Sequence, residues 1–121
     1  ELEDVAGRRP SDLSLGQRKL VGVARALAAE PKALLLDEPA AGLDSAESRR
    51  FGELLERLVE SGLSILLIDH DMGLVLSTCQ RVYVLESGDL LASGTPAEVR
   101  HDPQVISAYL GADADAAGEP S

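Results

Sequence analysis

An α/β fold built on parallel strands is what this sequence predicts, and three observations predict it. Ala33 to Leu36 and Ile65 to Ile68 are short apolar runs without polar alternation, as expected of strands covered on both faces of a parallel sheet. Between them lies a segment with apolar residues at helical spacing, Phe51, Leu54, Leu55, Leu58 and Val59, so the three form a βαβ unit. Each apolar run ends in polar residues, Asp37 and Glu38 after the first and Asp69, His70 and Asp71 after the second. The right-handed crossover of such a unit carries both strand ends to one sheet edge, where open parallel sheets bind their ligands.

Size and composition narrow the function. The chain has 121 residues, room for one domain with a modest core, and 45% of them are hydrophobic. A formal charge of -10 with scattered Lys and Arg argues against nucleic acid as a partner. A single cysteine, Cys79, excludes an internal disulfide and reads as a small apolar residue on a helix. No apolar run approaches the length of a membrane span. The chain begins at Glu1 without a methionine, from which a longer parent protein is expected.

Taken in order, residues 1 to 12 are polar, contain Gly7 and Pro10, and read as a loop. Ser14 followed by Gln17 is a capping-box pattern, and Leu20, Val23, Ala24, Leu27 and Ala28 carry a helix toward Pro31. The open N–H groups at its start, the Ser14 hydroxyl and the small Gly16 suit a phosphate oxygen. Pro39 stops the first strand, Ala40 to Asp44 turn the chain, and Asp44 with Glu47 caps the second helix, which Gly62 closes.

Beyond the second strand, Met72, Val75, Leu76 and Cys79 mark a short helix. Arg81 to Glu86 alternates as a strand, Ser87 to Asp89 turn, and Leu90 to Ser93 returns as the second arm of a hairpin. Thr95, Pro96 and Glu98 start another helix, and Asp102 with Pro103 starts a last one running to Leu110 and ended by Gly111. Residues 112 to 121 lack apolar content and read as a disordered acidic tail.

Four short motifs stand in a fixed order: LSLGQ at Leu13 to Gln17, ALLLDEP from Ala33, AGLD ending at Asp44, and IDHD around His70. Together they resemble the signature motif, Walker B strand, D-loop and histidine switch of ATP-binding cassette (ABC) ATPases. The resemblance covers about Asp12 to Gly111 and implies a partial P-loop NTPase core with parallel strands, flanking helices and a C-terminal β-hairpin, the family's N-terminal half being absent. It further implies that Ser14, Gly16 and Gln17 clasp the γ-phosphate of an ATP held mainly by a facing subunit. Asp37 would support Mg²⁺ through water, Glu38 would polarise the attacking water, His70 would contact the γ-phosphate, and Asp44 would couple the two sites of a dimer. The departure from the family's pattern is Leu15, where glycine is commonest.

Within the family, LLIDHDM, the hairpin, GTPAEV and the closing DPQVISAYLG look most like the ATPase subunits of bacterial branched-chain amino-acid importers, with lipopolysaccharide-export ATPases close by. Such subunits dock on transmembrane permease subunits at the cytoplasmic face of the membrane. A chromosome-maintenance or DNA-repair ATPase half is the alternative, which expects heptads before LSLGQ and a basic surface, and neither is present; a non-catalytic remnant is a further one. No G-x-x-x-x-G-K-[ST] loop occurs, and the only lysines are Lys19 and Lys32. The expectation is that the isolated chain does not hydrolyse ATP and that it exposes apolar surface and associates.

Overall fold

The computed structural model describes Ala6, Gly7, Arg9 and residues 12–110, with Leu110 described by its backbone alone. The expected loop over most of residues 1 to 12, the stop at Gly111 and the acidic tail 112–121 lie outside the described residues. The chain divides into two compact units, Glu1–Asp69 and His70–Ser121.

In the first unit the order is α1 (Leu15–Leu27), β1 (Ala33–Asp37), α2 (Ser45–Glu60) and β2 (Ser64–Ile68). The two strands pair in parallel, with Ala33 opposite Ser64 and Asp37 opposite Ile68, so their carboxyl ends lie side by side. Both helix starts follow from their caps. Ser14 and Gln17 exchange side-chain and backbone hydrogen bonds in one reciprocal box, and Asp44 and Glu47 do so in another. The end of α2 is equally determined: Gly62 takes φ of 110°, while the N–H of Leu63 bonds the carbonyl of Leu58 and that of Gly62 the carbonyl of Val59. Those two bonds satisfy carbonyls that the last helical turn leaves open.

Val23, Leu34, Phe51 and Leu55 form the buried centre of this unit, with Leu20, Ala26, Leu27, Leu36, Leu58, Ile65 and Leu67 packed around them. The apolar stripe of α2 falls as its spacing predicts. That of α1 is narrower than expected, because Ala24 and Ala28 are exposed and Ala26 takes the inward position. A larger correction concerns the sheet, which is not covered on both faces among the described residues. Leu34, Leu36, Ile65 and Leu67 face the helices, whereas Leu35, Leu66 and Ile68 on the other face are 70%, 55% and 54% exposed. Period-two alternation of strand side chains produces this split, since both helices of the unit pack against one face only.

The second unit runs α3 (Met72–Thr78), β3 (Val82–Glu86), β4 (Asp89–Gly94), α4 (Pro96–Arg100) and α5 (Pro103–Val105). In α3 the buried residues are Leu74 and Val75, and Leu74 was not among the residues expected to mark it. The antiparallel β3–β4 hairpin turns at Ser87 and Gly88, whose φ values of 50° and 84° are both positive, as a two-residue type I′ turn requires. A register shift interrupts the ladder between Val84 and Leu85. The expected last helix is only partly α-helical: after Val105 the chain widens into a π-helical turn, Ile106–Leu110, and the Tyr109 hydroxyl donates to the carbonyl of Leu85. The Tyr109 side chain thereby ties this turn to the hairpin. Val99 and Val105 are the fully buried side chains here.

Candidate nucleotide site

The rim formed by the carboxyl ends of β1 and β2 is built by hydrogen bonds that carry pairing past the last strand residues. The Glu38 N–H donates to the carbonyl of Ile68 at 2.6 Å, and one turn later the Ala40 N–H donates to Oδ2 of Asp69 at 3.2 Å. Asp37 and Glu38 are both exposed, while Pro39 and Ala40 behind them are buried. Glu38 adopts φ of 49°, a left-handed conformation that costs a non-glycine residue roughly 1–2 kcal/mol and turns it out of the alternation of the strand. The rim therefore holds three carboxylates, of Asp37, Glu38 and Asp69. His70, the next residue in the chain, opens the second unit and is exposed. Asp71 after it caps α3, its Oδ1 accepting from the Leu74 N–H at 3.1 Å.

At the start of α1, capping sorts the polar atoms. Ser14 Oγ accepts from the Gln17 N–H at 3.1 Å, and Gln17 Oε1 accepts from the Ser14 N–H at 3.0 Å. Both side chains spend acceptor atoms on the backbone, so the hydroxyl hydrogen of Ser14 and the amide hydrogens of Gln17 are left to donate. A cluster of donors at a helix N-terminus suits an anion.

The same region meets the turn before α2. A Cβ at Gly16 would stand 2.7 Å from Glu47 Oε2, and a Cβ at Gly42 would stand 2.6 Å from a methyl of Leu15. Gly16 and Gly42 are thus two places where a Cβ would require a neighbouring side chain, of Glu47 or Leu15, to move aside. Leu15, the departure from the common motif, rests over Gly42 and is 45% exposed. Asp44 caps α2 through the Glu47 N–H, at 2.7 Å, and that bond holds its carboxyl below the usual aspartate range. Neither this junction nor the Asp69 contact was foreseen from sequence. The signal for Asp69 was only its place at a strand end, and the Glu47 contact with Gly16 had none.

Among the described residues no three His, Cys, Asp or Glu side chains gather as a metal-binding cluster. The exposed carboxylate of Asp37 fits Mg²⁺ arriving on nucleotide phosphates, because that ion keeps most of its waters and takes one or two protein carboxylates. No described helix is long and apolar enough to cross a membrane.

The chain is similar to known proteins in both sequence and fold. A family model described as ABC transporter matches residues 1–41, and one described as branched-chain amino acid ATP-binding cassette transporter matches residues 90–115. The chain is 45% identical over 107 residues to the high-affinity branched-chain amino acid transport ATP-binding protein LivG of Salmonella typhimurium. The chain resembles part of an ABC transporter ATPase.

That match takes in 88% of this chain and 42% of the relative. A second relative, the lipopolysaccharide export system ATP-binding protein LptB of Escherichia coli K12, is 42% identical, with 93% of this chain and 46% of the relative covered. This chain therefore spans a little under half the length of the curated relatives it matches. Among solved structures, the ADP conformation of MJ1267, an ATP-binding cassette of an ABC transporter, superimposes with a TM-score of 0.82 at 32% identity, covering 91% of this chain and 45% of the other. The structure of cbiO1 from Clostridium perfringens, part of the ABC transporter complex cbiONQ, gives 0.78 at 36% identity, covering 87% and 42%. The fold is thus that of part of an ABC ATPase cassette, α/β with a parallel pair and an antiparallel hairpin.

Proposed function

We propose that this chain supplies the hydrolytic half of an ATP-binding subunit that powers import of branched-chain amino acids. The observation that carries the reading is the rim, where Asp37 and Glu38 end a strand paired with the one that leads into His70. Export of lipopolysaccharide is the second reading, favoured by the LptB likeness. Import is preferred because residues 90–115 match a model described as branched-chain amino acid ATP-binding cassette transporter. The DNA-repair alternative has no such support.

In this reading Glu38 accepts a hydrogen bond from a water aimed at the γ-phosphate, and its left-handed backbone takes it out of the alternation of the strand. Asp37 would hold Mg²⁺ through one of its waters, and the ion would supply charge neutralisation at the phosphates. His70 donates to a γ-phosphate oxygen. Phosphoryl transfer needs little covalent help from a protein, so placing these groups is most of the chemistry. Ser14, Gly16 and Gln17 offer donors to the γ-phosphate of a nucleotide seated on a second cassette, and Asp44 lies beside that contact. Partners are accordingly a second ATPase subunit and a membrane permease, with the subunit peripheral at the cytoplasmic face. The chain, taken as one nucleotide-binding part over residues 1–111, depends on a Walker A loop from outside its 121 residues and is inactive by itself.

Uptake of radiolabelled leucine tests the transport reading. The chain is joined at Glu1 to a segment carrying G-x-x-x-x-G-K-[ST] and supplied to permease-bearing vesicles with internal ATP. ATP-dependent uptake that Glu38→Gln removes is expected; restoration of lipopolysaccharide export in place of uptake would favour the second reading.

A further inference from the structure

We infer that Asp69 is a positioning residue for Glu38: its carboxylate fastens the turn behind Glu38 and so keeps the base in its left-handed conformation. The inference rests on the reading of Glu38 as the group that polarises water.

Three residues, Glu38 to Ala40, take the chain off β1. Pro39 has no N–H, so this segment has two backbone donors. Both end on consecutive residues of one neighbouring segment: Glu38 donates to the Ile68 carbonyl at 2.6 Å, and Ala40 donates to the Asp69 carboxylate at 3.2 Å. The next donor, Ala41, returns to the Glu38 carbonyl at 3.2 Å and closes the turn. Ala40 is 7% exposed, so its N–H has little access to water if Asp69 is removed. Swinging Glu38 out of φ 49° into the ordinary extended or helical regions rotates one of these donors off its acceptor. The Ile68 carbonyl belongs to any strand whatever its side chain. The Asp69 carboxylate is the side-chain half of the clamp, and an ionised acceptor makes the stronger bond.

Asp69→Ala and Asp69→Asn separate this role from a general loss of fold. Amide hydrogen exchange is read on the 121-residue chain, and ATP hydrolysis on the chain joined to a Walker A segment as above. Asp69→Ala should speed exchange at Ala40 by about tenfold or more. It should lower kcat by roughly tenfold while KM for ATP stays within about twofold, because an unheld base weakens the chemical step and not nucleotide binding. Asp69→Asn, whose amide oxygen can accept the same N–H, should recover most of both. Unchanged exchange at Ala40 would overturn the clamp. Faster exchange with unchanged kcat would overturn the positioning role. If the joined parent protein does not hydrolyse ATP while Ala40 still responds to Asp69→Ala, the functional reading of Glu38 falls and the clamp is left as a structural contact only.

Discussion

Gly42→Ala measures how tightly the junction between the start of α1 and the turn before α2 is built. Two penalties add at this position. The backbone has φ of 80°, where an alanine costs roughly 1–2 kcal/mol relative to glycine. The new Cβ would also lie 2.6 Å from a Leu15 methyl, inside any real contact. Leu15 is 45% exposed and the contact is at its far end, so it can swing aside and the steric part adds only a few tenths of a kcal/mol by loss of packing. The sum is about 1.5–2 kcal/mol, most of it backbone. With a urea m-value of about 2 kcal/mol per molar for a domain this small, the unfolding midpoint should fall by about 0.8–1 M. Two companions apportion the loss. Gly42→Asn tolerates the left-handed region and should cost less than half as much, and Leu15→Ala added to Gly42→Ala should return only the small steric part. A Gly42→Ala midpoint equal to that of the parent chain would refute the reasoning, and so would full rescue by Leu15→Ala.

Other outcomes follow from the same geometry. Leu55, 1% exposed at the centre of the first unit, should cost about 2–5 kcal/mol when cut to alanine, seen as a lost or strongly lowered unfolding transition. The Asp44 carboxyl is held low chiefly by the Glu47 N–H, so its bond stabilises α2 above the unfolded-state value and is lost as pH falls through the lower folded one; carboxyl NMR shifts should place its titration below the usual aspartate range, and Asp44→Asn should remove that step while keeping the cap. Burial raises the Cys79 thiol, so it should react with a disulfide reagent at neutral pH more slowly than a free thiol and reach the free-thiol rate on unfolding. The open sheet face of Leu35, Leu66 and Ile68 should drive self-association visible by sedimentation, and Leu35→Lys should lower it without changing the far-UV circular dichroism.

Where the sequence signal was local, the structure follows it closely. Ser14 with Gln17, Asp44 with Glu47 and Thr95 with Glu98 are reciprocal caps whose partners lie three residues apart, and each forms. The parallel pairing of β1 with β2 was also legible, because two apolar runs flanking an amphipathic helix admit few arrangements. What escaped is non-local or depends on what covers a surface. Leu35 and Leu34 are the same residue type in one run, yet one is 70% and the other 6% exposed; the difference lies in which face the helices take. The Asp69 contact joins residues 29 apart, and nothing in its own neighbourhood marks it. The bond from Tyr109 in the π-helical turn to the hairpin is likewise non-local, a contact across 24 residues.

Turnover of ATP with Mg²⁺ by three proteins tests the central claim most directly: the chain alone, the chain joined at Glu1 to a Walker A segment, and that joined protein carrying Glu38→Gln. No turnover by the first, steady hydrolysis by the second and its loss in the third is the predicted pattern. Hydrolysis by the chain alone, or a joined protein as active with glutamine at position 38 as with glutamate, would contradict it.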